Sequence, residues 1–210
     1  MSNILINILC FNESKSLNKV INDLKSINHN LKIDLLIVND ASTDDSQIII
    51  EQEKINYIKN SKNIGIAKSL KKGYEYFLNN NYDYFLQFDG DGQHRYEFIS
   101  ELINTIIKNN ADLVIGSRYL NKKLKFNLKS FGSAIISLLI KFFFKMKIKD
   151  PTSGFRILKR DLIKEIIKEN IKLAMEPLNI CQSLKNNKKV IEIPVIMNER
   201  KYGKSTINNI

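Results

Sequence analysis

The chain is short of the residues that divide or cross-link a fold. Three prolines and eight glycines are spread over 210 residues, so no Pro/Gly-rich linker is visible and a single domain over 1–210 is expected. The two cysteines, Cys10 and Cys181, sit in apolar surroundings without CxxC spacing. This excludes a disulfide framework and a thiolate zinc site, and points to structural thiols in a reducing compartment. No leader-like segment opens the chain, because Met1-Ser2-Asn3 runs straight into a strand-like stretch. A membrane-length apolar run is missing too: the most apolar stretch, 131–146, is broken by Lys141 and Lys145. These absences predict a cytoplasmic protein, at most peripheral on the inner face of a membrane. Acid is also scarce, with 33 Lys+Arg against 22 Asp+Glu and a net charge of +11. Such an excess calls for an anionic partner, whether nucleic acid, a phosphate-bearing ligand or an acidic membrane.

What is present is ordinary in bulk. Hydrophobic residues make up 43% and charged residues 26%, which excludes a disordered or collagenous chain. Only five of the cations are arginine. In a chain that defaults to lysine, an arginine marks a place where a planar fork matters.

The apolar run at 4–9 predicts a buried strand, and strands are also expected at 34–39, 56–59, 84–88 and 113–117. Helical spacing fills the intervals at 14–26, 46–52, 68–77 and 97–109. Asp45 or Ser46 reads as the cap of the short second helix. This alternation predicts an α/β fold, a mostly parallel central sheet flanked by helices. Beyond about residue 121 the pattern loosens. A mixed apolar and basic helix is expected over about 127–147, a short strand over 155–159, helices over 161–169 and 177–186, a last strand over 190–195 and a polar tail. The chain thus divides into a first half, 1–120, and a second half, 121–210.

In a parallel α/β sheet, ligands collect at the carboxyl ends of the strands. Four polar clusters stand there: Asn12-Glu13, Asn39-Asp40, Asp89-Gly90-Asp91-Gly92-Gln93-His94 and Ser117-Arg118. Asp89, Asp91 and Gln93 place three oxygen ligands at alternate positions of one loop. Hard cations such as Mg²⁺ or Mn²⁺ accept one or two carboxylates of this kind and complete their shell with water and phosphates. A solvated turn rich in Asp and Gly explains the same residues without a metal. Asp40 is not needed as a cap, and a carboxylate there suits a base N–H or a ribose hydroxyl. No GxGxxG follows the first strand, which argues against a dinucleotide fold. Gly203-Lys204-Ser205-Thr206 imitates the end of a P-loop, but Asn198 stands where the earlier glycine is needed.

Taken in order, these segments resemble glycosyltransferase family 2, inverting enzymes of the GT-A fold. Asn12-Glu13 stands in the opening P-x-Y-N-E, with Cys10 and Phe11 departing from it. The segment 38–44 resembles V-D-D-G-S-x-D, with Asn39 and Ala41 departing. The segments 63–67, 89–94, 116–119 and 150–156 resemble N-x-G-x-A, D-x-D-x-Q-H, G-S-R-Y and D-x-x-S-G-F-R. Arg200-x-x-Gly203-Lys204-Ser205 resembles the closing R-x-x-G-x-S. The likeness covers nearly the whole chain and is greatest to the branch that includes dolichyl- and polyprenyl-phosphate mannosyl- or glucosyltransferases. It implies a single Rossmann-like nucleotide-sugar-binding domain with a donor half before 121 and an acceptor half after it. Asn12, Glu13 and Asp40 would hold the nucleoside of a GDP- or UDP-sugar. Asp89, Asp91 and Gln93 would bind Mg²⁺ or Mn²⁺ against the diphosphate. Arg200, Lys204 and Ser205 would fold over that diphosphate, while Arg118 and Arg156 would orient the acceptor. Asp150 and Glu176 are the candidate bases for a hydroxyl acceptor. A lipid phosphate acceptor is already ionised and needs none. Glu176 precedes Pro177 and is equally explained as the start of a helix.

Residues 121–149 contain eight lysines and no acid, together with a dense set of Phe, Ile and Leu. An interfacial helix on anionic lipid explains both features; a core helix with a lysine fringe is the rival. The resemblance implies C-terminal membrane helices in many relatives, and none is read in this sequence, so the expectation is weak peripheral attachment, a membrane-anchoring partner subunit or a truncated gene. Three other readings compete: a family 2 transferase acting on a saccharide, a nucleotidyltransferase, and a non-catalytic binder of anionic membrane or nucleic acid. The last has no use for D-x-D-x-Q-H at a strand end, and the stacking motifs of nucleic-acid binders are absent.

Overall fold

The computed structural model describes residues 2–120, 128–169, 176–200 and 202. Seven strands form one sheet: β1 (Asn3–Cys10), β2 (Lys32–Asn39), β3 (Asn56–Lys59), β4 (Tyr84–Asp89), β5 (Leu113–Ser117), β6 (Arg156–Lys159) and β7 (Val190–Pro194). Among the described residues seven α-helices accompany them: α1 (Ser14–Lys25), α2 (Ser46–Gln52), α3 (Ile66–Asn79), α4 (Ile99–Lys108), α5 (Leu128–Phe144), α6 (Arg160–Lys168) and α7 (Glu176–Lys185). The strand order is β3-β2-β1-β4-β6-β5-β7. All neighbours are parallel except β6, which runs against both β4 and β5.

The central strands β1, β4 and β5 are buried on both faces, so their side chains alternate between two cores, whereas the edge strand β3 is mostly exposed. Ile4, Ile6 and Ile8 of β1 pack with Leu17, Val20, Ile21 and Leu24 of α1 and with Ile99, Leu102, Ile103 and Ile106 of α4. Leu5 faces the other way, toward Leu70, Tyr74 and Phe77 of α3 and Leu162, Ile163 and Ile166 of α6. The 3–4 spacing of these residues is what makes the segments helices with one apolar stripe.

Register brings the strand ends to one rim. Cys10 pairs with Asn39, and Leu9 with Asp89. Ser117 pairs with Pro194, so β5 and β7 end together. Because β6 is reversed, its first residue, Arg156, stands opposite Gln87 near the same rim. The sequence predicts the strands; the insertion of β6 between β4 and β5, and the place of β7 at the sheet edge, come from the structure.

The helix expected over about 127–147 is α5, and its packing is lopsided. Ser133 and Ile140 are buried and Ile136 and Phe144 lean on the core. Ile135, Leu138, Leu139, Phe142, Phe143 and Met146 are exposed, Phe142 by 77%. Among the described residues no helix is long and apolar enough to cross a membrane.

Candidate active site

The first three loops at the rim are stitched to one another. Asn12 N–H donates to Ser42 Oγ (2.9 Å), and Asn12 Oδ1 accepts from Thr43 N–H (2.7 Å). Glu13 N–H donates to Ser46 Oγ (3.0 Å) and Ser14 N–H to Asp44 Oδ2 (2.9 Å). The start of α2 is capped by Asp44, whose Oδ1 accepts from Ser46 N–H (3.0 Å). The expectation that Asp45 or Ser46 caps it is corrected: Asp45 makes no cap hydrogen bond, and the Ser46 hydroxyl serves the neighbouring loop.

Asp40 is buried, and its carboxylate faces its own protein. Oδ1 accepts from Asn60 Nδ2 (2.8 Å) and Ile64 N–H (2.9 Å), and Oδ2 accepts from Gly65 N–H (2.8 Å). Lys72 Nζ reaches Asn60 Oδ1 at 2.7 Å, extending the network into α3. The position that sequence assigns to the nucleoside therefore organises the loop before α3. Asn12 likewise spends its side chain on the adjoining loop.

The acidic loop after β4 is shaped from within. Gly92 takes φ +74°, a conformation glycine adopts without strain, and Asp91 Oδ1 accepts from Gln93 N–H (2.9 Å). Gly154 lies so close that a Cβ there would be 3.2 Å from Gln87 Nε2 and 3.5 Å from Asp89 Oδ2. His94 is buried, stacked on Phe155 and edge-on to Phe88. Burial pushes its imidazole down to about 4. Its Nδ1 accepts from Asp89 N–H (3.1 Å), which leaves the proton on Nε2, 3.4 Å from Asp89 Oδ2. His94 thus orients Asp89 as a neutral group, a role visible in sequence only as the H of D-x-D-x-Q-H.

Three acids gather at this point. Burial, the largest cause, raises Glu13 to about 7, with Asp91 and Asp89 adding repulsion. Asp91 is raised for the same reasons, burial first and then Asp89. Arg200 answers them: Nη2 lies 2.6 Å from Glu13 Oε1 and Nη1 lies 3.5 Å from Asp91 Oδ2. An all-oxygen donor set with surplus negative charge fits a hard divalent cation. Among the described residues no three His, Cys, Asp or Glu side chains converge as a ready-made cage. The set fits a cation held by one or two carboxylates and completed by substrate phosphates.

Across the rim, Arg118 grips Asp150. Nε donates to Oδ2 and Nη2 to Oδ1, both at 2.7 Å, and Arg118 N–H adds a third bond at 2.9 Å. Arg118 Nη2 also reaches Thr152 Oγ1 (3.0 Å), which lies 3.4 Å from Ser133 Oγ of α5. Glu192 accepts from Lys149 N–H (2.7 Å) and Asp150 N–H (2.8 Å), fixing the loop from β7. Sequence reasoning missed Glu192, whose signal is a lone acid inside an apolar strand.

Two expectations are altered by this geometry. Asp150, read as a candidate base, is fully buried with both oxygens held by Arg118. Arg156, read as an acceptor ligand, is also fully buried, and its fork donates to the carbonyls of Ser153 and Pro151. These bonds shape the loop that carries Asp150. Gln93 is tied in through its backbone, with its carbonyl accepting from Asn198 N–H. Glu176 begins α7, and its side chain, like Lys204 and Ser205, lies outside the described residues.

Comparison with known proteins shows what the chain is similar to. A protein of unassigned function from Methanocaldococcus jannaschii is 33% identical over 196 residues, covering 88% of this chain and 83% of that protein. A UDP-N-acetylglucosamine–dolichyl-phosphate N-acetylglucosaminyltransferase from Methanococcus voltae is 27% identical, over 95% of this chain and 88% of that one. A dolichol-phosphate mannosyltransferase from Pyrococcus furiosus is 28% identical over 94% of this chain, which spans 57% of that protein. Among solved structures, glucosyl-3-phosphoglycerate synthase from Mycobacterium tuberculosis, crystallised with Mn²⁺, UDP and phosphoglyceric acid, superposes with a TM-score of 0.73. That match has 14% identity and covers 96% of this chain and 72% of that one. Residues 6–167 match the family described as "Glycosyl transferase family 2". With the sheet order, the acidic loop and the arginine–carboxylate pairs in place, the chain belongs to glycosyltransferase family 2 and has the GT-A fold.

Proposed function

We propose that this glycosyltransferase moves a sugar from a nucleotide-diphosphate donor to a polyprenyl phosphate at an anionic membrane surface, with inversion at the anomeric carbon. One observation carries the reading: the exposed apolar face of α5, fringed by Lys141, Lys145 and Lys147, leads directly from the Arg118–Asp150 pair. Ser133 and Phe142 are nine residues apart on one helix, about 14 Å at 1.5 Å per residue. An acceptor phosphate near Arg118 would therefore lie beside a lipid-compatible surface. Relatives named for dolichyl and polyprenyl phosphate transfer support the same acceptor class.

In this mechanism the donor lies across the ends of β1, β2 and β4, its diphosphate toward Asp91 and Arg200. Asp89 and Asp91 would hold Mg²⁺ or Mn²⁺, which supplies Lewis-acid neutralisation of the departing diphosphate. His94 holds Asp89 in place, and Arg200 and Lys204 add positive charge to the leaving group. Arg118, kept rigid by Asp150, orients the acceptor phosphate, whose ionised oxygen attacks the anomeric carbon. A phosphate nucleophile needs no protein base, which suits a site whose Asp150 is occupied. A saccharide acceptor would instead require a base such as Glu176.

The test is transfer from radiolabelled UDP- and GDP-sugars into organic-extractable lipid, with polyprenyl phosphate in anionic vesicles and with EDTA as a control. Label appearing in lipid, suppressed by EDTA, supports the reading. Label entering free oligosaccharide but not lipid overturns it.

A further inference from the structure

The segment after β7 turns back over the acidic loop and is fastened there. Val195 N–H donates to Ser117 O (3.0 Å), Asn198 N–H to Gln93 O (2.8 Å) and Asn198 Nδ2 to Gly92 O (3.1 Å). These bonds deliver Arg200 to the acids. Its Nη2 meets Glu13 and its Nη1 approaches Asp91, while Nε donates to Tyr202 O (2.8 Å). Three partners in three directions need the guanidinium fork, and a lysine ammonium has no such reach. The chain is otherwise lysine-rich, so the choice of arginine here is specific.

We infer that Arg200 is a built-in substitute cation for the acidic site, which holds Asp91 while no donor is bound and yields it when metal and diphosphate arrive together. The inference rests on the reading above that Asp91 receives the metal. Two partly buried carboxylates close to a third repel one another, and a neighbouring positive charge relieves that repulsion. Arg200 provides it from within the chain. A divalent cation alone must displace or oppose this guanidinium and gains only one or two carboxylates. A cation arriving with a diphosphate brings anionic oxygens that Arg200 can move to, so the charge is rebalanced rather than lost. Glu13 is then a positioning residue, keeping Arg200 beside the place where the diphosphate will lie. The metal accordingly enters with the donor rather than ahead of it.

Binding of Mn²⁺ alone, followed by the electron paramagnetic resonance signal of free Mn²⁺, tests this without turnover. Arg200→Gln should bind Mn²⁺ alone several-fold more tightly than the unaltered chain. With UDP or GDP added, the order should reverse, the unaltered chain binding the Mn²⁺–nucleotide pair more tightly. Equal or weaker binding of Mn²⁺ alone by Arg200→Gln overturns the inference. Asp91→Asn separates the two readings: if it leaves Mn²⁺ binding unchanged in the nucleotide-bound protein, the metal assignment of Asp91 fails, and the substitute-cation role with it. A loss in Asp91→Asn combined with no gain in Arg200→Gln leaves the metal reading standing and removes only the role of Arg200.

Discussion

The loops at the ends of β1, β2 and β3 and the outer face of α5 solve opposite problems. In the loops, polar groups find partners inside the protein: Asn12 with Thr43, Ser14 with Asp44, Asp40 with Asn60, Ile64 and Gly65. On α5, five large apolar side chains from Ile135 to Phe143 are exposed to solvent, with Phe142 and Phe143, packed edge-on only against each other, exposed by 77% and 70%. These loops, all within residues 1–120, are tied together by their own hydrogen bonds. We propose that the outer face of α5 is completed by a lipid surface. Rigid loops suit the placing of a diphosphate, where small displacements cost rate. An unpartnered face suits an acceptor that stays in its membrane.

The largest expected effect lies where the two halves meet. Asp91→Asn should lower transfer by about 10³-fold, corresponding to several kcal/mol of charge stabilisation. Its circular dichroism should be unchanged, because the residue stands on a loop; wild-type turnover would remove Asp91 from the mechanism.

Next comes a test of the stitched loops. Asp40→Ala strands the buried amide of Asn60 and the part-buried N–H groups of Ile64 and Gly65, and stability should fall by about 3 kcal/mol. For a chain of this size that is a drop of about 6–12 °C in Tm. Loss of nucleotide affinity with an unmoved Tm would show that Asp40 reads the nucleoside directly and that the loop needs no such anchor.

The same test applied to α5 should leave Tm alone. Lys141→Glu with Lys145→Glu should weaken binding to anionic vesicles by about 2 kcal/mol, roughly 30-fold at low salt. The loss should shrink as salt screens the surface charge. Vesicle binding that ignores both substitutions and salt would break the contrast between the halves.

The smallest effect concerns one strained residue. Ala41 holds φ +60° beside Asp40, a conformation that costs an L-residue free energy. Ala41→Gly should raise stability by about 0.5–1 kcal/mol, measured by denaturant midpoint, with no change in transfer.

The same contrast explains what the sequence made legible. α2 at Ser46–Gln52, β3 at Asn56–Lys59 and β5 at Leu113–Ser117 fall where apolar spacing predicts them, because burial and periodicity are local signals. The reversed direction of β6 is not local: Arg156–Lys159 reads the same whichever way it pairs. The site was legible as a set of residues, less so as a set of roles. An arginine in a lysine-rich chain does announce a planar fork, yet the fork of Arg118 meets a carboxylate and that of Arg156 meets backbone carbonyls. Arg160, outside every motif, caps α3 through the carbonyls of Leu78, Asn80 and Tyr82. Residue type reveals the geometry required, and only the fold supplies the partner. Asp40 teaches the same lesson for acids, since a carboxylate at a strand end can serve a ligand or the next loop.

Hydrogen exchange with and without anionic vesicles addresses the central claim most directly. The account predicts that amides of α5, Leu128–Phe144, gain protection when vesicles are added at low salt. Amides in the loops around Asn12, Asp40 and Gly65 should keep the protection they already have. Unchanged exchange in α5 at saturating vesicle, with the transferase still active on a lipid-free acceptor, would contradict it.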